Sequence, residues 1–128
     1  MEDYVAKLFA TYKIPFSKEV KSTDLVGFNV LGEDEKRFDF VIQTTRKTYL
    51  IEVNFYNTQG SKPNEVARAY SELSPKINST EMYEFVWITD GRGWNPSRNK
   101  LEEAFYAIPN MYNLTTIEQF VKQIISEM

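Results

Sequence analysis

Two stretches near the middle of the chain alternate with a period of two. In Arg37-Phe38-Asp39-Phe40-Val41-Ile42, Phe38, Phe40 and Ile42 alternate with Arg37, Asp39 and Val41. In the second, Tyr49, Ile51, Val53 and Phe55 alternate with Leu50, Glu52 and Asn54. A two-residue period rich in β-branched and aromatic side chains predicts strands. Thr44-Thr45-Arg46-Lys47 separates them, and a hairpin centred between Thr45 and Arg46 sets Asp39 opposite Glu52. The turn contains neither Asn-Gly nor Asp-Gly, so this register is inferred from its midpoint. A slip of one residue would send one acid to the other face.

On either side the period changes. Tyr4, Val5, Leu8, Phe9 and Tyr12 form a helical stripe over Glu2 to Tyr12, ended by Ile14-Pro15. Phe16 to Lys21 and Leu25 to Leu31 read as strands, the second running into a solvated acidic hairpin tip, Gly32-Glu33-Asp34-Glu35-Lys36. After the central hairpin and the polar loop Asn57-Thr58-Gln59-Gly60, Ser61 as N-cap and Pro63 in the first turn start a helix. Its stripe is Val66, Ala69, Tyr70, Leu73 and Ile77, and Pro75 is expected to kink or end it. Phe85-Val86-Trp87-Ile88 is wholly apolar, as a strand covered on both faces would be. Leu101, Ala104, Phe105 and Ile108 outline a helix ended by Pro109, and Met111 to Leu114 a short strand. Thr115 and Glu118 form a capping box for a last helix with the face Ile117, Phe120, Val121, Ile124 and Ile125. This order predicts an α/β fold in a single domain over residues 1–128: a mixed β-sheet flanked by helices, antiparallel hairpins first and a parallel part with right-handed crossovers after.

Composition narrows the chemistry. The 128 residues suit one domain, and 42% hydrophobic with 15% aromatic residues suffice for a packed core. Absence of cysteine excludes disulfides and thiolate–zinc sites, and absence of histidine removes the usual general base and the commonest metal ligand. A metal site must therefore be built from oxygens, which points to Mg²⁺, Mn²⁺ or Ca²⁺. A net charge of −3 gives no global attraction to nucleic acid, so any such binding needs a local basic face. With no apolar run of membrane-spanning length and no basic-then-apolar N-terminus, a soluble cytoplasmic protein without a membrane partner is expected.

Opposed side chains on an antiparallel pair have Cβ atoms roughly 4.5–5.5 Å apart, and like charges there are destabilising. A hard divalent cation held between Asp39 and Glu52 would cancel the repulsion. Two solvated carboxylates on an exposed sheet face would produce the same pattern. Glu19 is a weaker candidate for a third acid.

A helix, an antiparallel hairpin carrying Asp and then Glu-x-x, a crossover helix and a parallel strand resembles the PD-(D/E)xK nuclease superfamily, with its αβββαβ core. Phe38 stands where that motif has Pro, and Asn54 where it has Lys. A longer pattern is more specific. Arg37-Phe38-Asp39-Phe40, Ile51-Glu52-Val53-Asn54-Phe55-Tyr56, Gly60-Ser61-Lys62, Asn64-Glu65-Val66-Ala67-Arg68 and Phe85 to Gly91 together resemble the catalytic half of GATC-cleaving type II restriction endonucleases of the DpnII and MboI kind. The resemblance runs from about Phe38 to Leu114. That family also carries Asn at the position of Asn54, while Gln59 stands where its loop tends to have Gly. Its chains are longer, with an N-terminal portion lacking a counterpart here, so the resemblance implies a C-terminal catalytic domain. It further implies Mg²⁺-dependent cleavage of unmethylated double-stranded DNA at GATC, 5′ of the G, alongside a protecting DNA methyltransferase. Palindromic sites imply a homodimer.

By the same resemblance, Asp39, Glu52 and the backbone carbonyl of Val53 are the metal ligands. Asn54 can orient water by hydrogen bonding but carries no charge. Another cation must then replace the motif lysine. Lys62 is the candidate, at a helix start whose N–H groups favour phosphate, unless it is an ordinary solvated residue. Arg68 and Glu65 read as surface residues of the same helix, and Tyr56 and Tyr70 as packing residues. Asp90 reads as a turn residue, with contact to a second metal or DNA as the alternative. Arg92 to Lys100 mixes cations, amides and an aromatic as a DNA-contacting loop would, and exposure of Trp94 would favour that role. Two other functions stay open: a non-catalytic module binding DNA or a protein, with Asn54 marking lapsed chemistry, and a nuclease specific for DNA structure.

Overall fold

A computed structural model of the protein describes residues 2–57 and 62–128. The expectations on Gln59, Gly60 and Ser61 lie outside the described residues. The elements run α1 (Glu2–Thr11), β1 (Ser17–Lys21), β2 (Arg37–Gln43), β3 (Thr48–Phe55), α2 (Lys62–Asn78), β4 (Tyr83–Asp90), α3 (Arg98–Ala107), β5 (Met111–Tyr112) and α4 (Ile117–Glu127). One sheet holds the strands in the order β1-β2-β3-β4-β5. The first two pairings are antiparallel and the last two parallel, so the expected mixed α/β fold with its αβββαβ core is present. The central hairpin pairs Phe40 with Ile51 and Gln43 with Thr48, the register implied by the turn midpoint.

Alternation along β2, β3 and β4 feeds two apolar layers. Phe40, Ile42, Ile51, Val53, Val86 and Ile88 pack against Val5 and Phe9 of α1 and Phe120 and Ile124 of α4. On the other face Val41, Leu50, Phe85 and Trp87 meet Ala67 and Ile77 of α2 and Ala104 of α3. At roughly 1.5–3 kcal/mol per fully buried large side chain, these layers dominate the fold's stability.

Near the first acid the alternation changes phase. Phe38 and Phe40 are two apart and would share a face of a regular strand, yet Phe38 packs in the second layer and Phe40 in the first. Asp39 sits at this turnover. On β1, Val20 pairs with Phe38 and Lys18 with Phe40, and Glu19 between them has φ 51°. An L residue there is strained, and the kink lets the sheet edge turn with β2.

Several local expectations are corrected. Leu25 to Leu31 forms no strand but an irregular loop after a 3₁₀ turn at Ser22–Asp24, because Leu25, Phe28 and Val30 each pack singly onto the second layer. The helix of Lys62–Asn78 continues through Pro75. Pro75 lies on the exposed side near the helix end, where water can take the freed Ser71 carbonyl. Of the expected α2 stripe, Ile77 is buried and Val66, Tyr70 and Leu73 pack on the second layer, but Ala69 is exposed, and Pro63, Ala67 and Ser74 are buried in addition. Phe105 and Ile125 are exposed rather than buried, as are Tyr4 and Tyr12. No capping box forms at Thr115 and Glu118; the Asn113 side chain accepts the N–H groups of Thr115 (2.8 Å) and Thr116 (2.9 Å). An Asx oxygen reaches these donors from fewer rotatable bonds than a reciprocal box needs. Among the described residues no helix is long and apolar enough to cross a membrane.

Candidate active site

Beyond Phe40 and Ile51 the hairpin ladder gives way to a side-chain contact: the Val53 N–H donates to Asp39 Oδ2 at 2.8 Å. Asp39 is partly exposed, while Glu52 is 4% exposed. The two carboxyls lie against each other. Burial, then the hydrogen bond to Glu52 and its charge, push the Asp39 carboxyl up to about 6, opposed by the Val53 N–H. Glu2 of α1 also reaches Asp39, and burial together with that contact raises the Glu2 carboxyl.

Glu52 meets a cation that the sequence did not single out. Lys36 Nζ lies 2.8 Å from Glu52 Oε1. Despite that distance the buried Oε1 has no aligned hydrogen bond, so the contact is one of charge. Lys36 also stands over the rings of Tyr70 (5.2 Å) and Phe38 (5.6 Å). Its backbone N–H donates to Ser22 Oγ at 2.9 Å, which ties the end of the long loop to the start of β2.

Asn54 is bordered on two sides. Its Oδ1 accepts from Trp87 Nε1 at 2.6 Å, and its amide lies near the Tyr70 hydroxyl. Burial first, then the charges of Glu52 and Asp39, raise the Tyr70 hydroxyl far above its ordinary value. Tyr56 is raised by burial and by Glu52. Both tyrosines therefore pack and border the acids, Tyr70 against Trp87 and Tyr56 against Trp94.

None of the other candidates hydrogen-bonds or ion-pairs with Asp39 or Glu52 among the described residues. Lys62 is exposed at the start of α2 and makes no ion pair among the described residues. Glu65 is exposed, and Arg68 lines a groove between α2 and α3 with Asn64, Glu72, Lys100 and Glu103 that contains neither Asp39 nor Glu52. Glu19 is exposed on β1, between the residues paired with Phe38 and Phe40 and so beside Asp39, but it makes no hydrogen bond or ion pair with the acids among the described residues. Asp90 is a turn residue: it accepts the N–H groups of Gly91 (2.7 Å) and Leu114 (3.1 Å). Trp94 is 3% exposed, and its indole donates to Thr89 Oγ1 at 2.9 Å, so it supports the 3₁₀ turn Arg92–Ser97 from inside and offers no ring to DNA.

The donor set suits a hard divalent cation. Two adjoining carboxyls, one holding its proton unusually tightly and the other with a buried oxygen lacking a hydrogen bond, are relieved by positive charge. Among the described residues no group of three acidic side chains is placed to hold one ion, so further ligands would be backbone oxygen or water.

A family described as DpnII restriction endonuclease matches residues 1–123. The type II restriction enzyme MboI of Moraxella bovis is 54% identical over 127 residues, covering 99% of this chain and 45% of that enzyme. The type II restriction enzyme DpnII of Streptococcus pneumoniae is 45% identical over 101 residues, covering 79% of this chain and 35% of that enzyme. This chain belongs to the DpnII restriction endonuclease family. It spans less than half the length of these curated relatives. MjaIII of Methanocaldococcus jannaschii is 39% identical over 106 residues. No solved structure matches. Within this DpnII-family chain, the site residues that the residue pattern does not single out are Lys36 and Glu2, whereas Tyr70 packs as expected. Lys36 falls in the expected solvated acidic tip, and Glu2 only opens the first helical stripe; the phase change at Asp39 that brings Lys36 to Glu52 leaves no mark in the residue pattern.

Proposed function

We propose that this chain is the catalytic part of a Mg²⁺-dependent restriction endonuclease that hydrolyses unmethylated double-stranded DNA at GATC, 5′ of the G. The observation that carries the reading is the contact between the Asp39 and Glu52 carboxyls in a chain of the DpnII family. Asp39, Glu52 and the Val53 carbonyl would hold Mg²⁺, which when bound acidifies water and offsets phosphate charge. The Val53 N–H fixes the Asp39 carboxylate at one oxygen before any ligand arrives. Glu52, buried among Trp87 and Tyr70, is held in a low-dielectric surrounding that strengthens its attraction for a cation. Asn54, its oxygen taken by Trp87, presents only N–H groups and so orients an acceptor without moving a proton. Lys62, at the first turn of α2, would meet a DNA phosphate. A twofold homodimer would present one such site to each strand of the palindrome, and a methyltransferase would protect the host's own sites.

The test is digestion of unmethylated and adenine-methylated plasmid with Mg²⁺ or with EDTA, beside Asp39→Ala. A GATC ladder from unmethylated DNA alone, lost in EDTA and in the variant, is expected. The rival reading, a binding module, draws on the neutral Asn54 bound to Trp87. It requires that Mg²⁺ leave the thermal stability of the wild-type chain unchanged.

A further inference from the structure

We propose that Lys36 supplies the active-site positive charge that Asn54 lacks. The proposal rests on the metal-dependent nuclease reading and assigns a residue within it. A lysine at position 54 would have come from β3 itself, beside Glu52. Here the ammonium arrives at the same carboxylate from the neighbouring chain segment, one residue before β2 begins.

Four observations make this more than a surface ion pair. Glu52 is buried, and the Lys36 side chain is 27% exposed, so the pair is only weakly screened. Phe38 and Tyr70 offer ring faces to the ammonium and hold it without neutralising it. The Lys36 backbone is fixed by Ser22 Oγ, so the side chain starts from a set point. Finally, the ammonium contacts an oxygen left without an aligned hydrogen bond, so charge alone holds it there and a second cation on the carboxylate can take its place.

The same geometry gives Lys36 two sequential partners. Without a divalent ion it balances Glu52 and competes for the carboxylate oxygen. With the carboxylates engaged elsewhere, the ammonium is released within side-chain reach of the same site, where the remaining anion is the DNA phosphate. It then stabilises charge developing on the phosphate oxygens, as a point charge with three donors. It transfers no proton in this role.

Lys36→Met separates the two partners. In the DNA-free 128-residue chain, Mg²⁺ binding measured by calorimetry should tighten about tenfold, since the competing ammonium is gone. Single-turnover cleavage of a GATC duplex should fall about 10²–10³-fold. A structural role for Lys36 would instead weaken Mg²⁺ binding and cleavage together, and that result overturns the proposal. So does full cleavage by Lys36→Met beside loss of cleavage in Lys62→Ala. Should Lys36→Met fail to fold, lysine acylation of the wild-type chain, read by mass spectrometry, carries the test. Lys36 should become more reactive with Ca²⁺ and be protected again when a GATC duplex is added; reactivity indifferent to both refutes it. A wild-type chain that neither binds Mg²⁺ nor cleaves overturns the nuclease reading itself, whereas a cleaving wild type with a cleaving Lys36→Met overturns the Lys36 assignment alone.

Discussion

Replacing Asp39 by Asn should stabilise the protein when no divalent ion is present. The Asp39 carboxyl rises from an ordinary 3.8 to about 6 because it is buried against Glu52. A carboxyl whose folded value is raised contributes stability that is complete below its unfolded value and is lost as pH rises through its folded value. The window therefore runs from about pH 4 to about pH 6. At 1.36 kcal/mol per pH unit the interval is worth about 3 kcal/mol unscreened, and about 1–2 kcal/mol once the group's partial exposure is allowed for. Asn reproduces the protonated acid: its Oδ1 can accept the Val53 N–H while its amide donates to Glu52. Lys36 stays on Glu52 in the variant, while Glu2 is also relieved of the Asp39 charge, so the difference reports that charge against Glu52 and Glu2 together. Thermal unfolding followed by circular dichroism in EDTA should show the variant melting roughly 4–8 °C above wild type at pH 8, with the gap closing toward pH 4. In excess Mg²⁺ the order should reverse, because ligand binding stabilises only the chain that keeps both carboxylates. A variant less stable than wild type in EDTA at pH 8, or a gap that ignores pH, would show that the two acids do not repel and that the site is not poised for a cation.

Glu52→Gln should remove the Mg²⁺-induced rise in melting temperature and destabilise the metal-free chain by about 1–3 kcal/mol, since Lys36 loses its partner; an unchanged Mg²⁺ response would exclude Glu52 as a ligand. Asn54→Ala leaves the buried Trp87 indole N–H without an acceptor, so urea unfolding should report a loss of about 1–3 kcal/mol. Gly91 has φ 118°, and a Cβ there would overlap the backbone carbonyl of Tyr56. Gly91→Ala should therefore cost upwards of about 2 kcal/mol and disturb Tyr56 beside Glu52; an unchanged denaturation midpoint would contradict that packing.

How much of this was legible in the residue order differs from element to element. The hairpin and its register followed from period-two alternation and the midpoint of a four-residue turn, because pleat geometry and turn length constrain each other locally. The opposed acids were legible for the same reason, and the absence of histidine and cysteine restricted their chemistry to hard cations. The strand expected at Leu25 to Leu31 failed because its apolar residues were claimed singly by the second layer, a competition no local pattern records. Trp94, an aromatic in a polar loop, became a core residue because Thr89 and Tyr56 wait beneath it.

The sequence by itself determined that two carboxylates meet on adjacent strands, since alternation and register are short-range properties of the backbone. Only the tertiary structure decided which cation meets them. Lys36 shares the parity of Phe38 and Phe40, and in a regular strand would face away from Glu52. It reaches the carboxylate because β2 turns over at Asp39, where Glu19 of β1, Glu2 of α1 and the aromatic surface of Tyr70 on α2 converge from distant parts of the chain. Such a turnover is set by what packs on each face of the strand, and that is known only once the helices are in place.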